Sequence, residues 1–191
     1  MSEQVVNFVD VTIRHRKYLL FLVNWSDFQN DLQQQLDRHS EDFGRALGRQ
    51  AAWVRPYDHK VANAQVLAKP WPAELKKRME NEQYPFLLVI GRDFDSFDPV
   101  RDRSAIVWFS KYEENPADVW KPLDAIVRKI NADDDLFVYF ETLRDRARRS
   151  KWIKGFQDVL GYLDLKFPLL PGFVSIHVGA ILKDAAGKLD G

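Results

Sequence analysis

The hydrophobic residues of this chain gather into short unbroken runs, separated by longer stretches in which apolar positions recur at helical spacing. Residues 18–24 (YLLFLVN) are apolar without period-two alternation, which predicts a strand covered on both faces. Ser26-Asp27-Phe28-Gln29 then reads as a capping box, the Ser26 hydroxyl serving the third helical N–H while Gln29 reaches back. Phe28, Leu32, Leu36, Phe43 and Leu47 follow on one helical face, and the helix is expected to end near Gly48. Residues 51–54 (AAWV) predict a second strand, stopped by Pro56. Residues 58–69 fit neither period cleanly. Pro70-Trp71-Pro72 is a breaker, with Pro72 opening a helix that runs to about Glu82.

The clearest buried strand is 86–90 (FLLVI), introduced by Pro85 and closed by Gly91. A polar loop, GRDFDSFDPVRDR, leads to a fourth strand at 105–109 (AIVWF). Residues 116–130 predict a helix with Val119, Leu123, Ile126, Val127 and Ile130 on one face, and Pro122 within or just before its first turn. Residues 136–140 (LFVYF) read as a fifth strand, followed by a helix from Thr142 to about Leu165 that bends near Gly155 or Gly161. Residues 174–178 (VSIHV) are either a last strand or part of a short terminal helix.

Short apolar strands alternating with helices are the pattern of a parallel sheet with helices on both faces. The expectation is therefore one α/β domain over residues 1–191, in three layers. Its sheet would be mainly parallel, of about five strands, and flavodoxin-like in general plan. The first fifteen residues and the tail from 184 are expected at its periphery.

Composition adds exclusions. The chain has 191 residues, 46% of them hydrophobic, enough to bury roughly 70% of the surface of its unfolded form without a metal or disulfide. With no cysteine, a thiolate nucleophile and any Cys-based metal site are excluded. The 28 basic and 28 acidic side chains cancel, which argues against bulk attraction to nucleic acid or membrane. The N-terminal residues lack the basic start and apolar run of a signal peptide. The most apolar stretch, 167–182, is too short and too interrupted to span a membrane. A soluble, cytoplasmic protein is the expectation.

In a parallel α/β sheet the ligand crevice lies beyond the carboxyl ends of the strands. That rule nominates Asn24, Trp25, Ser26 and Asp27 after the first strand, and Arg55, Tyr57, Asp58 and His59 after the second. It adds Arg92, Asp93 and Asp95 after the third, Ser110 and Lys111 after the fourth, and Glu141 after the fifth. Asp93, Asp95 and Asp98 alternate with Phe94 and Phe97. Carboxylates so placed can hold a hard cation such as Mg²⁺ beside a substrate phosphate. A solvated turn accounts for the same residues, with Arg92, Arg101 and Arg103 pairing with the acids and the two rings anchoring the loop, and we favour it.

Other chemistry is thinly supported. The chain holds no phosphate-cradling glycine loop and no G-x-S-x-G elbow. His15, His39, His59 and His177 lack metal-ligand spacing, so no metal site is expected from them. His59, beside Tyr57 and Asp58, is the better general base of the four. Arg144, Arg148 and Lys151 share one helical face that can track phosphates, although Glu141 and Asp145 dilute its charge.

Three functional classes follow. The favoured one is a non-catalytic interaction or ligand-binding module, its protein partner or small ligand held at the carboxyl rim by residues such as Trp25, Ser26, Tyr57, Arg92 and Ser110. The alternative is an enzyme acting on a nucleotide or phosphorylated substrate. It would use Asp93 and Asp95 for a cation and Glu141 or His59 as acid/base. The third is nucleic-acid binding through Arg144, Arg148 and Lys151, which the neutral charge balance disfavours. The 6 Trp, 6 Tyr and 13 Phe fall mainly within strands and apolar helix faces, so most are expected in the core.

Overall fold

The computed structural model describes residues 2–5, 8–23, 31–81, 85–154 and 173–177. Its strands are β1 (Ser2–Val5), β2 (Tyr18–Val23), β3 (Ala51–Pro56), β4 (Phe86–Ile90), β5 (Ser104–Trp108) and β6 (Phe173–His177). They form one sheet in the order β1-β3-β2-β4-β5-β6. The helices are α1 (Asp31–Arg38), α2 (Ser40–Ala46), α3 (His59–Ala68), α4 (Ala73–Asn81), α5 (Trp120–Asn131) and α6 (Leu136–Lys154). The result is a mixed α/β fold. The tail from 184, the helix bend at Gly155 or Gly161, and the capping box at Ser26 lie outside the described residues.

The sheet departs from the mainly parallel, five-stranded expectation. In its centre β2 and β3 are parallel, pairing Tyr18 with Ala51 and Phe21 with Val54. β4, however, runs antiparallel to β2, with Leu19 opposite Ile90 and Val23 opposite Phe86. It is antiparallel to β5 as well, with Phe86 opposite Trp108. β1 and β6 extend the two edges in parallel to β3 and β5. The physical reason lies between β3 and β4. One helix would carry the chain back to the far end of the sheet and make the next strand parallel. Here the breaker at Pro70-Trp71-Pro72 folds the segment into two helices instead. α3 descends, so that Lys69 reaches the loop after β4, and α4 climbs back, so that Arg78 lies 4.2 Å from the ring centre of Trp108 at the other end. The chain returns to the rim it left, and β4 must run downward.

A second correction concerns residues 136–140, which are the first turns of α6 and not a strand. Asp135 caps this helix: its Oδ1 accepts from the amides of Phe137 (2.9 Å) and Val138 (3.2 Å). The Tyr18 hydroxyl accepts a third N–H, from Leu136, at 3.0 Å. Leu136, Phe140 and Leu143 are buried at helical spacing while Val138 is half exposed, so the run is a buried helix face. The helix expected from residue 26 to 48 is interrupted at His39 between α1 and α2. Gly48, at φ +64°, ends this region in the left-handed conformation that glycine adopts freely.

Helices cover both faces of the sheet. On one, α1, α2, α5 and α6 pack on Leu20, Leu22, Trp53, Leu87, Val89 and Val107. On the other, α3, α4 and the short turn at Phe8–Asp10 pack on Leu19, Phe21, Val54, Leu88, Ile90 and Trp108. Every residue of β2, β4 and β5 is buried, as expected for strands covered on both sides. No helix among the described residues is long and apolar enough to cross a membrane.

Asp135 also accepts a 2.9 Å hydrogen bond from Arg103. Burial raises its pKa, but the Arg103 hydrogen bond and the two capped amides outweigh this and hold it below the usual carboxylate value. Asp135→Ala is expected to cost about 1 kcal/mol in urea denaturation at neutral pH. Because the folded-state pKa is depressed, that contribution is complete above the unfolded value of about 3.9. It fades as pH falls through the lower folded value. An equal penalty at pH 7 and pH 2 would refute the assignment.

Candidate functional site

The reversal of β4 divides the sequence-nominated residues between the two ends of the sheet. Ile90 sits beside Leu19, so the loop after β4 lies at the amino ends of β2 and β5. Arg92, Asp93 and Asp95 are therefore at one rim, whereas Tyr57, His59 and Ser110 are at the other. Trp25 and Ser26 lie outside the described residues.

At the lower rim the acids have structural partners. Asp93 Oδ1 accepts from the Ile13 amide. Arg92 donates to Asp102 at 2.6 Å, and the other Asp102 oxygen accepts from the Asp98 amide at 2.8 Å. Asp98 accepts from Val100 N–H and lies 3.6 Å from Arg101. Phe94 packs against Phe8 and Phe21 with ring centres 5.5 and 5.2 Å apart, and Phe97 lies 5.7 Å from Trp71. These rings tie the loop to the α3/α4 face. Lys69 donates to the Asp95 carbonyl at 2.7 Å. Burial lowers its pKa, and the neighbouring charges of Asp95 and Asp98 oppose that shift only in part. Glu141 lies on α6, packed on the opposite face, 3.7 Å from Arg103. Among the described residues no three His, Asp or Glu side chains converge as ligands for a metal ion.

Further along α6, Arg144 is 3.3 Å from Asp145. Arg148 and Lys151 follow on the same helix, and their side chains lie outside the described part.

At the upper rim Tyr57 is 73% exposed, directly after β3. Asp58 caps α3, its Oδ1 accepting from Lys60 N–H (2.8 Å) and Val61 N–H (3.3 Å). His59 opens α3 with its Nδ1 buried and without a hydrogen-bond partner among the described residues. Ser110 begins a short 3₁₀ turn, Ser110–Tyr112, that leads into Pro116–Val119 and then α5.

Towards the upper rim lies a further group that joins two residues read as core from the sequence, Trp53 and Phe43, to the nominated Arg55 and to Trp120 and Tyr112. On the α1/α2 face, the Trp53 ring centre is 4.7 Å from that of Phe43, which in turn is 6.3 Å from Trp120. His39 lies 5.1 Å from Trp120 on the same side. Arg55, two residues beyond Trp53 on the same face of β3, approaches Asp37 of α1 at 3.7 Å. Residues 116–119 pack on α1 and on the turn that carries Tyr112. The indole N–H groups of Trp53 and Trp120, the Nε–H of Arg55 and the hydroxyl of Tyr112 are all buried, and none has a hydrogen-bond partner among the described residues. A buried donor in that state costs about 1–3 kcal/mol, and native proteins hold few of them. Of the ten buried side-chain polar atoms in that state among the described residues, these four belong to neighbouring parts of the α1/α2 face, and they call for an explanation.

The apolar runs explain why sequence reading treats Trp53 as core. Its ring is indeed buried, but an indole carries a donor that a hydrocarbon core cannot satisfy. That polar handle, together with Tyr112 following a strand end, was the available signal.

No protein-family model, curated protein or solved structure matches the chain.

Burial raises the pKa of the Tyr112 phenol well above its ordinary value, and Asp118 adds to the rise. Tyr112→Phe is expected to leave the unfolding free energy unchanged or raise it by up to about 1–3 kcal/mol, because it removes an unpartnered hydroxyl. The folded wild type holds this proton while the unfolded chain releases it near pH 10, so wild-type stability falls above that pH. The variant should lack this part of the alkaline loss. Chemical denaturation at pH 7 and pH 10.5 measures both, and a loss above 1 kcal/mol at pH 7 would show that the hydroxyl has a partner.

Proposed function

We propose that this chain is a non-catalytic ligand-binding α/β module. Its site is the corner where the carboxyl end of β3 meets α1, His39 and residues 110–120. The observation that carries this reading is the group of four buried donors, Trp53 Nε1, Trp120 Nε1, Arg55 Nε and Tyr112 Oη, that lack acceptors among the described residues. A ligand rich in acceptors relieves their desolvation cost, and so converts a destabilising arrangement into affinity and orientation. Arg55 lies just past the last paired residues of β2 and β3, Phe21 and Val54, on the carboxyl side where ligands of α/β sheets bind, while Trp53 lies within the ladder opposite Leu20.

Binding is favoured over catalysis by how the acids are used. Asp93 holds the Ile13 amide, Asp58 caps α3, and Glu141 faces Arg103. A small molecule fits better than a flat protein surface, since the donors lie on buried atoms.

A thermal-shift screen with nucleotides, dinucleotides, sugars and carboxylic acids tests the reading, with tryptophan fluorescence as a second readout. A compound held only by the folded state, at 100 times its dissociation constant, adds about 2.7 kcal/mol of stability. Trp53→Phe and Trp120→Phe are each expected to weaken the response by about tenfold, the loss of one buried hydrogen bond. A response that survives both substitutions would place the site elsewhere.

A further inference from the structure

We infer that the group received in this corner is the oxyanion of a small molecule, a carboxylate or a phosphate, anchored by Arg55; the inference rests on the ligand-binding reading above. Three of the four unmet groups, the two indole N–H groups and the Arg55 Nε–H, donate and cannot accept. The fourth, the Tyr112 hydroxyl, also donates. A partner for such a set must present several acceptors close together, and an oxyanion does so on a single group.

Arg55 supplies the charge. Its side chain is only 21% exposed, against 46% for Arg92 and 43% for Arg103. Those two more exposed arginines hold carboxylates at 2.6 and 2.9 Å, whereas Arg55 reaches Asp37 only at 3.7 Å, through Nη1. The other Asp37 oxygen is committed to Gln33 Nε2 at 3.0 Å. The most enclosed of these three guanidinium groups is thus the most loosely paired. Its Nε edge, the side of the fork that pairs with an oxyanion in two parallel hydrogen bonds, has no acceptor. Asp37 is the competing anion at this site, so it sets a lower affinity than Arg55 alone would give.

The experiment uses the full chain with matched probes: adenosine 5′-monophosphate against adenosine, benzoate against benzamide, and inorganic phosphate alone. Thermal shift and quenching of tryptophan fluorescence are the readouts. The expected result is that the charged member of at least one pair binds and its neutral partner binds at least tenfold more weakly. Preference within the nucleotide pair or for inorganic phosphate identifies a phosphate, and preference within the benzoate pair a carboxylate. Arg55→Gln should lower that affinity at least tenfold, and Asp37→Asn, which removes the competing charge and keeps the shape, should raise it. If Arg55→Gln does not fold, the Asp37→Asn result decides. Equal binding of charged and neutral partners, or anion binding unchanged by both variants, overturns the oxyanion assignment and leaves the ligand-binding reading in place. If no probe shifts the melting temperature or quenches fluorescence, the oxyanion assignment falls. If the wider compound screen is silent too, the ligand-binding reading falls with it.

Discussion

The reversal of β4 against both of its neighbours governs where the loops of the molecule lie. It follows from the α3/α4 pair, which returns the chain to the rim from which β3 departed. A strand entering from that rim can only run downward, and the loop after it emerges among the amino ends of β2 and β5. The acidic 91–103 segment is thereby removed from the carboxyl rim. It becomes a brace, with its rings in the α3/α4 layer and its arginines reaching carboxylates on the loop itself and on α6.

This brace and the cap of α6 form one continuous tie. Arg103 holds Asp135, stacks 4.9 Å from the Phe137 ring centre and faces Glu141. Nearby, Lys17 and Asp133 pair across the start of β2. Individually, exposed ion pairs are worth little. Their effect here is positional, because each joins the lower rim to the helix layer that covers it. On the α1/α2 face towards the upper rim, polar atoms are buried beside aromatic rings without partners among the described residues. Buried atoms without a partner occur at the lower rim as well, at Gln50 Oε1 and Ser104 Oγ, but those two are an acceptor and a hydroxyl at the starts of separate strands, whereas the ligand-binding proposal rests on indole and guanidinium donors of the α1/α2 face.

Much of the fold was legible in the chain. The runs at 18–24, 51–54, 86–90 and 105–109 each correspond to a strand within a residue or two, because uninterrupted apolar sequence bounded by Pro and Gly has few other uses. The run at 136–140 misled, since five consecutive apolar residues satisfy a strand and a buried helix turn equally. Asp135 arbitrates, as a cap at the right place, and it lies one residue outside the run. β1 carries a single apolar residue, Val5, too little to mark a strand, and its pairing with β3 is a tertiary matter. The breaker at residues 70–72 was visible, and with it the means to see that two helices precede β4. Only the direction of that strand shows what the breaker does.

By itself, then, the sequence determined the four central strands and the helices after residues 31, 72 and 116, where most of the aromatics go, and that cysteine chemistry is absent. These are local properties, set by side-chain size, periodicity and backbone freedom within a few residues. The tertiary structure decided which rim each loop occupies and which buried polar atoms find partners. Both depend on strand direction and on contacts between residues far apart in the chain, such as Tyr18 with Leu136 or Arg55 with Asp37. Hydrogen-bond satisfaction in particular is a property of pairs, and a one-dimensional pattern cannot show that Trp53 is buried without an acceptor.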